Sequence, residues 1–173
     1  MEFLATIKNL IPDYAKDIRL NVDGTIARSS LEGNDAVGVA LAAAFAAKSK
    51  IIVDAIRNAG VLSPEETNGA LTAASLMGMN NVWYPYVEMA GDADLSSQPA
   101  GLRMNAYATH GGVDKRRFEM YALAASIVGK CHFCVQSHYK LLKDEQGMTT
   151  QQLRDVGRIA AVISAAANVI AAE

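Results

Sequence analysis

Two helix-capping sequences open the two longest apolar stretches of the chain, at Ser63-Pro64-Glu65-Glu66 and at Thr149-Thr150-Gln151-Gln152. A hydroxyl side chain followed three residues later by Glu or Gln satisfies the free N–H groups at a helix start. Proline is well tolerated at the first helical position. We therefore predict one long helix from Ser63 through Trp83, with Pro85 bending or ending it, and another running from Thr149 to the C-terminus.

Helical patterns fill most of the remaining chain. Alanine, the strongest helix former, dominates Ala40–Ala47, and apolar residues recur at helical intervals elsewhere. No segment shows a convincing strand pattern. The predicted fold class is all-α. Further helices are predicted at 3–11, 12–20, 34–47, 51–58, 102–107, 114–129 and 131–146, with connections at 21–32 and 91–101.

The 173 residues, half of them apolar, are enough for the core of a single helical domain. Short N-terminal helices are expected within residues 1–30. A faint internal repeat relates residues 34–90 to residues 114–173, because aligning Asn81-Val82 with Asn168-Val169 also matches alanine pairs. Alanine-rich helices resemble one another easily, so two similar helical halves and a purely compositional match are equal alternatives.

Charge and hydropathy argue against two kinds of partner. The formal net charge is −2, and no basic stripe or aromatic ladder suggests nucleic-acid binding. The N-terminus lacks a cationic segment with a long apolar run, and no later stretch reaches the ~18 uncharged apolar residues of a membrane span. We therefore expect a cytoplasmic protein. In that compartment, neighbouring cysteines are more often catalytic or metal-binding than structural.

Cys131 and Cys134, the only cysteines, stand at CxxC spacing, and His138 follows four residues after the second. This pattern favours a dithiol that exchanges electrons. A helix starting near Cys131 places both cysteines and His138 on one stripe, and its N-terminus favours thiolates. Position alone makes Cys131 the more acidic thiol. His132 lies about a quarter-turn off the stripe, where it could contribute positive charge.

Metal binding is the alternative chemistry for the same residues. Cys131, Cys134 and His138 could supply three zinc ligands and Glu119 a fourth, but no second cysteine pair exists to complete a structural site. Covalent haem attachment requires a histidine directly after the second cysteine, and Val135 stands there. We expect neither a bound metal nor a bound cofactor.

The spacing of Glu119, the Cys131-His132-Phe133-Cys134 motif and His138 resembles the active-site signature of the alkyl hydroperoxidase D (AhpD) family, in the carboxymuconolactone decarboxylase-like superfamily. The resemblance implies an all-α, usually trimeric protein that reduces alkyl hydroperoxides and recharges an AhpC-type peroxiredoxin. It also implies that a lipoylated protein, acting as dihydrolipoamide, is the reducing co-substrate. The similarity extends over most of the chain, through Pro12–Ile18, Met77–Val82 and Gly101–Asn105.

The resemblance also assigns roles to the candidate residues. It implies that Cys134 attacks the peroxide and Cys131 resolves the product, with His132 a less certain member of the site. A tight hairpin at Gly129 would bring Glu119 within reach of His138, allowing a proton relay from Glu119 through His138 to Cys134. A decarboxylase-like enzyme of the same superfamily remains an alternative, although it would not need neighbouring thiols. A zinc-binding or structural helical module is the other.

Overall fold

The computed structural model describes residues 1–173 and contains helices and loops without any strand, which confirms the predicted all-α class. Two short 3-10 turns, Asp13–Ala15 and His110–Gly112, accompany ten α-helices. These are α1 (Glu2–Asn9), α2 (Lys16–Ile26), α3 (Asp35–Ala46), α4 (Lys50–Asn58), α5 (Pro64–Ala90), α6 (Ala93–Ser97), α7 (Asn105–Ala108), α8 (Lys115–Gly129), α9 (His132–Asp144) and α10 (Thr150–Ala172).

The core forms where α3, α5, α8 and α10 pack against one another. Ten of the twelve residues of α3 are buried, as is the whole stretch Phe118–Ser126 of α8. Small side chains allow close contact between these two helices. At Gly38, a Cβ atom would lie only 2.4 Å from the ring of Tyr121, so the tyrosine packs directly on the backbone of α3. A helix that is apolar on every side belongs in such an interior.

Both predicted capping boxes form. The Ser63 hydroxyl accepts the Glu66 N–H at 3.1 Å while the Glu66 carboxylate accepts the Ser63 N–H at 2.8 Å, and α10 is capped in the same way. Of the two effects predicted for Pro85, bending or ending the helix, the second is wrong, because α5 continues to Ala90. An interior proline removes one helical hydrogen bond and can kink or break a helix, but α5 stays helical on both sides of Pro85. The helix ends where Gly91, with φ 62°, places its N–H on the last carbonyls.

The connection predicted at 21–32 starts too early, because its first residues belong to helix α2. Helix α2 begins at Lys16, after the 3-10 turn, and continues to Ile26 despite the Asp23-Gly24 pair. Val22 and Ile26 are buried in the core, and this burial outweighs the low helix propensity of the pair. A turn-forming dipeptide therefore does not end a helix whose next turn contributes to the core.

Smaller differences occur in the second half of the chain. The connection 91–101 contains the short helix α6, whose start is capped by Asp92. The helix predicted at 102–107 lies at 105–108, and the one predicted at 131–146 ends at Asp144. In each predicted half, two shorter helices are followed by a longer one: α3, α4 and α5 in the first, and α8, α9 and α10 in the second. The two-half hypothesis stays a prediction.

One helix, α10, is long and apolar enough to cross a membrane by length and composition, with a mean hydropathy of 1.4 over an 18-residue stretch. Core helices of globular proteins often have the same composition. In this fold α10 packs against α2, α3 and α8, and residues such as Val156, Ile159 and Ile163 are completely buried there. Its apolar side therefore has a protein core to pack against.

The contact between α3 and α8 leads to a stability prediction. Gly38→Ala should lower the free energy of unfolding by about 1–2 kcal/mol, because overpacking against Tyr121 outweighs the gain of about 1 kcal/mol in helix propensity. The matched control is Gly157→Ala in α10, where the nearest atom to a new Cβ is 4.0 Å away. That variant should gain stability. Urea unfolding curves measure both, and a Gly38→Ala protein as stable as the control would contradict the proposed close packing.

Candidate active site

The turn between α8 and α9 sets the direction of the second helix. The N–H groups of Lys130 and Cys131 bond to the carbonyls of Ile127 and Ser126 at 3.1 and 3.2 Å, which closes the end of α8. The left-handed residue is Lys130, with φ 56°, although glycine would adopt this conformation more easily. Gly129 has a different role, because a Cβ there would lie 2.1 Å from the Asn81 amide nitrogen.

Cys131 and Cys134 form a disulfide at the start of α9. Cys131 is the N-cap residue, so it lies just before the first turn in which the sequence pattern placed it. Its sulfur accepts the Cys134 N–H at 3.2 Å and lies 3.8 Å from the carbonyl oxygen of Asn80. Both cysteines are buried, Cys131 completely and Cys134 to 3% exposure. The structure therefore shows the oxidised form of the motif in a largely closed site.

A buried histidine–carboxylate pair lies beside this turn. His138 Nδ1 is 2.6 Å from Glu119 Oε2, although the two residues are 19 positions apart. The Tyr107 hydroxyl donates to the other oxygen, Glu119 Oε1. Glu119 is completely buried and His138 nearly so. The α8–α9 hairpin thus brings the carboxylate and the imidazole together, and α7 contributes a second donor.

The surroundings determine where the protons lie. Burial opposes ionisation of Glu119, but the hydrogen bonds from His138 and Tyr107 and the positive charge of His138 outweigh it, so the pKa of Glu119 is lowered. Burial and the hydrogen bond to Glu119 raise the pKa of Tyr107 well above its usual range. Near neutral pH, Glu119 is therefore an ionised acceptor and Tyr107 a neutral donor. It follows that Nδ1 of His138 carries a proton.

The other ring nitrogen of His138 contacts a methionine. Nε2 lies 3.2 Å from Met77 Sδ, and the hydrogen-bond partners of the imidazole are thus Glu119 and Met77 instead of a cysteine sulfur. Sequence spacing identified neither Met77 nor Tyr107 as a site residue. Met77 lies in the segment 77–82 that carried the family resemblance, whereas no spacing signal points to Tyr107.

His132 occupies a different environment from His138. Its side chain is 75% exposed, and its Nδ1 lies 3.0 Å from Glu88 Oε1. The neighbouring Phe133 stacks on Tyr84 with ring centroids 4.3 Å apart. These groups line a surface groove of about 340 Å³. The structure therefore places His132 on the outer side of α9, apart from the buried Glu119–His138 pair.

The same geometry bears on the zinc hypothesis. No group of three or more His, Cys, Asp or Glu side chains is arranged to hold a metal ion. The two sulfur atoms are bonded to each other, and Glu119 and His138 are hydrogen-bonded to each other. The four residues that could have supplied zinc ligands do not form a ligand set in this form of the protein.

Comparison with known proteins places the chain in a family. A sequence model described as "Carboxymuconolactone decarboxylase family" matches residues 93–173. Alkyl hydroperoxide reductase AhpD of Rhodospirillum centenum is 41% identical over 98% of this chain and 91% of the relative. The proteins of the same name from Rhizorhabdus wittichii and Coxiella burnetii are 40% and 37% identical, each over 96% of both chains. Because this similarity covers nearly the whole length, the chain belongs to the AhpD family of alkyl hydroperoxide reductases.

Proposed function

We propose that this protein is an antioxidant enzyme that reduces alkyl hydroperoxides with the Cys131–Cys134 dithiol. The observation that carries the proposal is a disulfide whose second sulfur lies one helical turn before a histidine held by a buried carboxylate. A thiol near such a base is a reactive nucleophile. The relatives are named alkyl hydroperoxide reductases, and this name supports the choice of substrate.

In the reduced enzyme, His138 acts as the general base for Cys134. The two residues are four positions apart on α9, so their side chains lie on the same face of the helix. Glu119 accepts the hydrogen bond from Nδ1–H of His138, so Nε2 is the ring nitrogen that exchanges protons. The proton passes from the Cys134 thiol to Nε2, directly or through one water molecule. Tyr107 keeps the carboxylate oriented throughout.

Peroxide reduction then proceeds in two steps. The Cys134 thiolate bonds to the terminal peroxide oxygen and the O–O bond breaks. The alkoxide takes the proton from His138 and leaves as the alcohol, and Cys134 becomes a sulfenic acid. Cys131 loses its proton and its sulfur attacks the Cys134 sulfur, the departing hydroxide takes up that proton as water, and the disulfide forms. This disulfide is the form that the structure contains.

The disulfide needs two electrons to return to the dithiol. A dithiol donor supplies both by exchange, and from the family resemblance we propose dihydrolipoamide on a lipoylated protein. An AhpC-type peroxiredoxin is the proposed partner that the reduced Cys131–Cys134 pair recharges. No bound cofactor is required, because the two sulfur atoms carry the electrons. The cytoplasm, which keeps neighbouring thiols reduced, is the proposed compartment.

We also propose that the protein is a homotrimer. The second half of α5 exposes several large apolar side chains, including Val82 at 70% and Met89 at 79% exposure. An apolar groove of about 330 Å³ runs beside them, between Trp83, Tyr86 and Leu102. Contiguous exposed apolar surface of this kind is typical of an interface. The number of three subunits comes from the family resemblance.

The decarboxylase-like alternative has less support. The matching family model carries a decarboxylase name, but a decarboxylase does not need two neighbouring thiols. Here both cysteines lie at the start of α9, and His138, which is paired with Glu119, follows Cys134 by one turn of the same helix. The dithiol chemistry uses all of these features, so the peroxidase remains the preferred function.

The first test measures activity and the order of the two thiols. With dihydrolipoamide, its dehydrogenase and an alkyl hydroperoxide, the wild-type protein should turn over, and Cys131→Ser and Cys134→Ser should not. After one equivalent of hydroperoxide, Cys131→Ser should carry a sulfenic acid on Cys134, because no resolving thiol remains. Mass spectrometry detects it. Sulfenic acid on Cys131 in Cys134→Ser, with none in the reciprocal variant, would reverse the assignment, and no wild-type turnover would reject the proposed function.

The second test compares the two histidines of the motif. In the reduced protein near neutral pH, His138→Ala should slow thiol alkylation by at least about tenfold, because it removes the base one turn from Cys134. His132→Ala should leave the rate close to that of the wild type, because that side chain is exposed and paired with Glu88. Iodoacetamide kinetics measure both rates. Equal slowing in the two variants would remove His138 from the role of base.

The third test concerns assembly. Light scattering should give a mass near three times the 18.4 kDa of one chain. Val82→Asp places a charge in the apolar face of α5 and should reduce the mass to that of one chain. Leu20→Asp on α2, at a position 61% exposed, is the matched control and should stay trimeric. A wild-type mass of one chain at micromolar concentration would overturn the trimer.

A further inference from the structure

The buried imidazole of His138 faces a hydrogen-bond acceptor at each ring nitrogen. Nδ1 faces the ionised Glu119 carboxylate at 2.6 Å, and Nε2 faces Met77 Sδ at 3.2 Å. A carboxylate and a thioether both lack a proton to give. A neutral ring would leave one nitrogen lone pair directed at an acceptor, whereas a ring with two protons satisfies both contacts.

Met77 is held in this position by its surroundings. It lies on α5 and is completely buried, and the Asn80 amide nitrogen is 4.0 Å from its sulfur. The carbonyl oxygen of Asn80 in turn lies 3.8 Å from Cys131 Sγ. The same turn of α5 therefore contacts both the imidazole and the disulfide. A thioether is a weak acceptor, so it binds an imidazolium proton without competing strongly for it.

The other groups around the imidazole agree with a positive ring. On α8, Glu119 is negative, and Lys115 is the basic residue whose charge acts on it. On α7, Tyr107 is neutral and donates to Glu119. Glu145, just beyond α9, adds negative charge near Tyr107. On α5, the group that touches the ring is the uncharged Met77. The nearest full charge to His138 is thus the carboxylate.

We propose that Met77 is a positioning residue that holds a second proton on His138 Nε2 while the disulfide is closed. The proposal rests on the proposed peroxidase cycle for its purpose: His138 takes up a proton from solvent once the disulfide has closed, and this stored proton is the one needed on reduction. A donor thiolate attacks Cys131 Sγ, the Cys131–Cys134 bond breaks, and Cys134 leaves as a thiolate. The proton on Nε2 passes to that thiolate, giving a Cys134 thiol, a neutral His138 and a mixed disulfide between the donor and Cys131.

The test is nitrogen NMR of histidine-labelled protein in the disulfide form, without peroxide or donor. The chain has three histidines, so His110→Gln and His132→Gln assign the signal of His138. At pH 7, Met77→Leu should lower the ratio of doubly to singly protonated His138 rings about fivefold, as expected for loss of one hydrogen bond of ordinary net strength to a weak acceptor. Met148→Leu, a buried methionine outside the site, should leave the ratio unchanged.

Met77→Gln supplies a carbonyl acceptor of similar length and should return the ratio towards the wild-type value. Unfolding curves of all three methionine variants establish that they are folded before the spectra are compared. Equal ratios in the wild type and Met77→Leu, or a wild-type ring with a free lone pair on Nε2, would overturn the proposal. Because the measurement needs no turnover, either result leaves the peroxidase proposal to be decided by its own assay.

Discussion

A carboxylate that is completely buried needs donors, and the Glu119 side chain has two. Leaving such a charge unpaired in a protein interior costs several kcal/mol. The contacts with His138 and Tyr107 therefore fix three helices relative to one another, with α8 supplying the acid and α9 and α7 the donors. The disulfide lies on the same helix as His138, so its position follows from this pair. The arrangement of the site therefore depends on the need of the buried Glu119 carboxylate for hydrogen-bond donors.

The packing of α8 makes that burial possible. Its middle residues are enclosed by α3, α5 and α10, and alanine and glycine on the facing surfaces allow the backbones to approach. Tyr121 on α8 packs on Gly38, and Asn81 on α5 packs on Gly129. Close packing of this kind has low compressibility. Glu119 and the turn that carries the cysteines are thus supported by densely packed helices.

In the proposed cycle either thiol could be the nucleophile, and the sizes of the expected effects favour Cys134. The start of α9 and the Cys134 N–H stabilise a Cys131 thiolate, an effect of about 0.3–1 kcal/mol. The nearby carbonyl oxygen of Asn80 opposes it, because that oxygen favours a protonated sulfur. A general base typically contributes a factor of about 10²–10⁴. In the proposed mechanism, His138, one turn after Cys134, therefore outweighs the helix N-terminus as the determinant of thiol reactivity.

What the sequence determined by itself was local. The capped starts of α5 and α10, the all-α class and the stripe of Cys131, Cys134 and His138 each depend on spacings within one helix. The assignment of Glu119 to the site came from the family resemblance, since a charged residue on a helix does not by itself indicate a functional role.

The tertiary structure decided the rest. Met77 and Tyr107 reach His138 and its carboxylate across 61 and 12 residues of sequence, respectively. Lys130 takes the left-handed turn while Gly129 packs against Asn81, and α2 continues through Asp23-Gly24 because its last turn is buried. Contacts between distant segments determine these features, and no spacing along the chain records them.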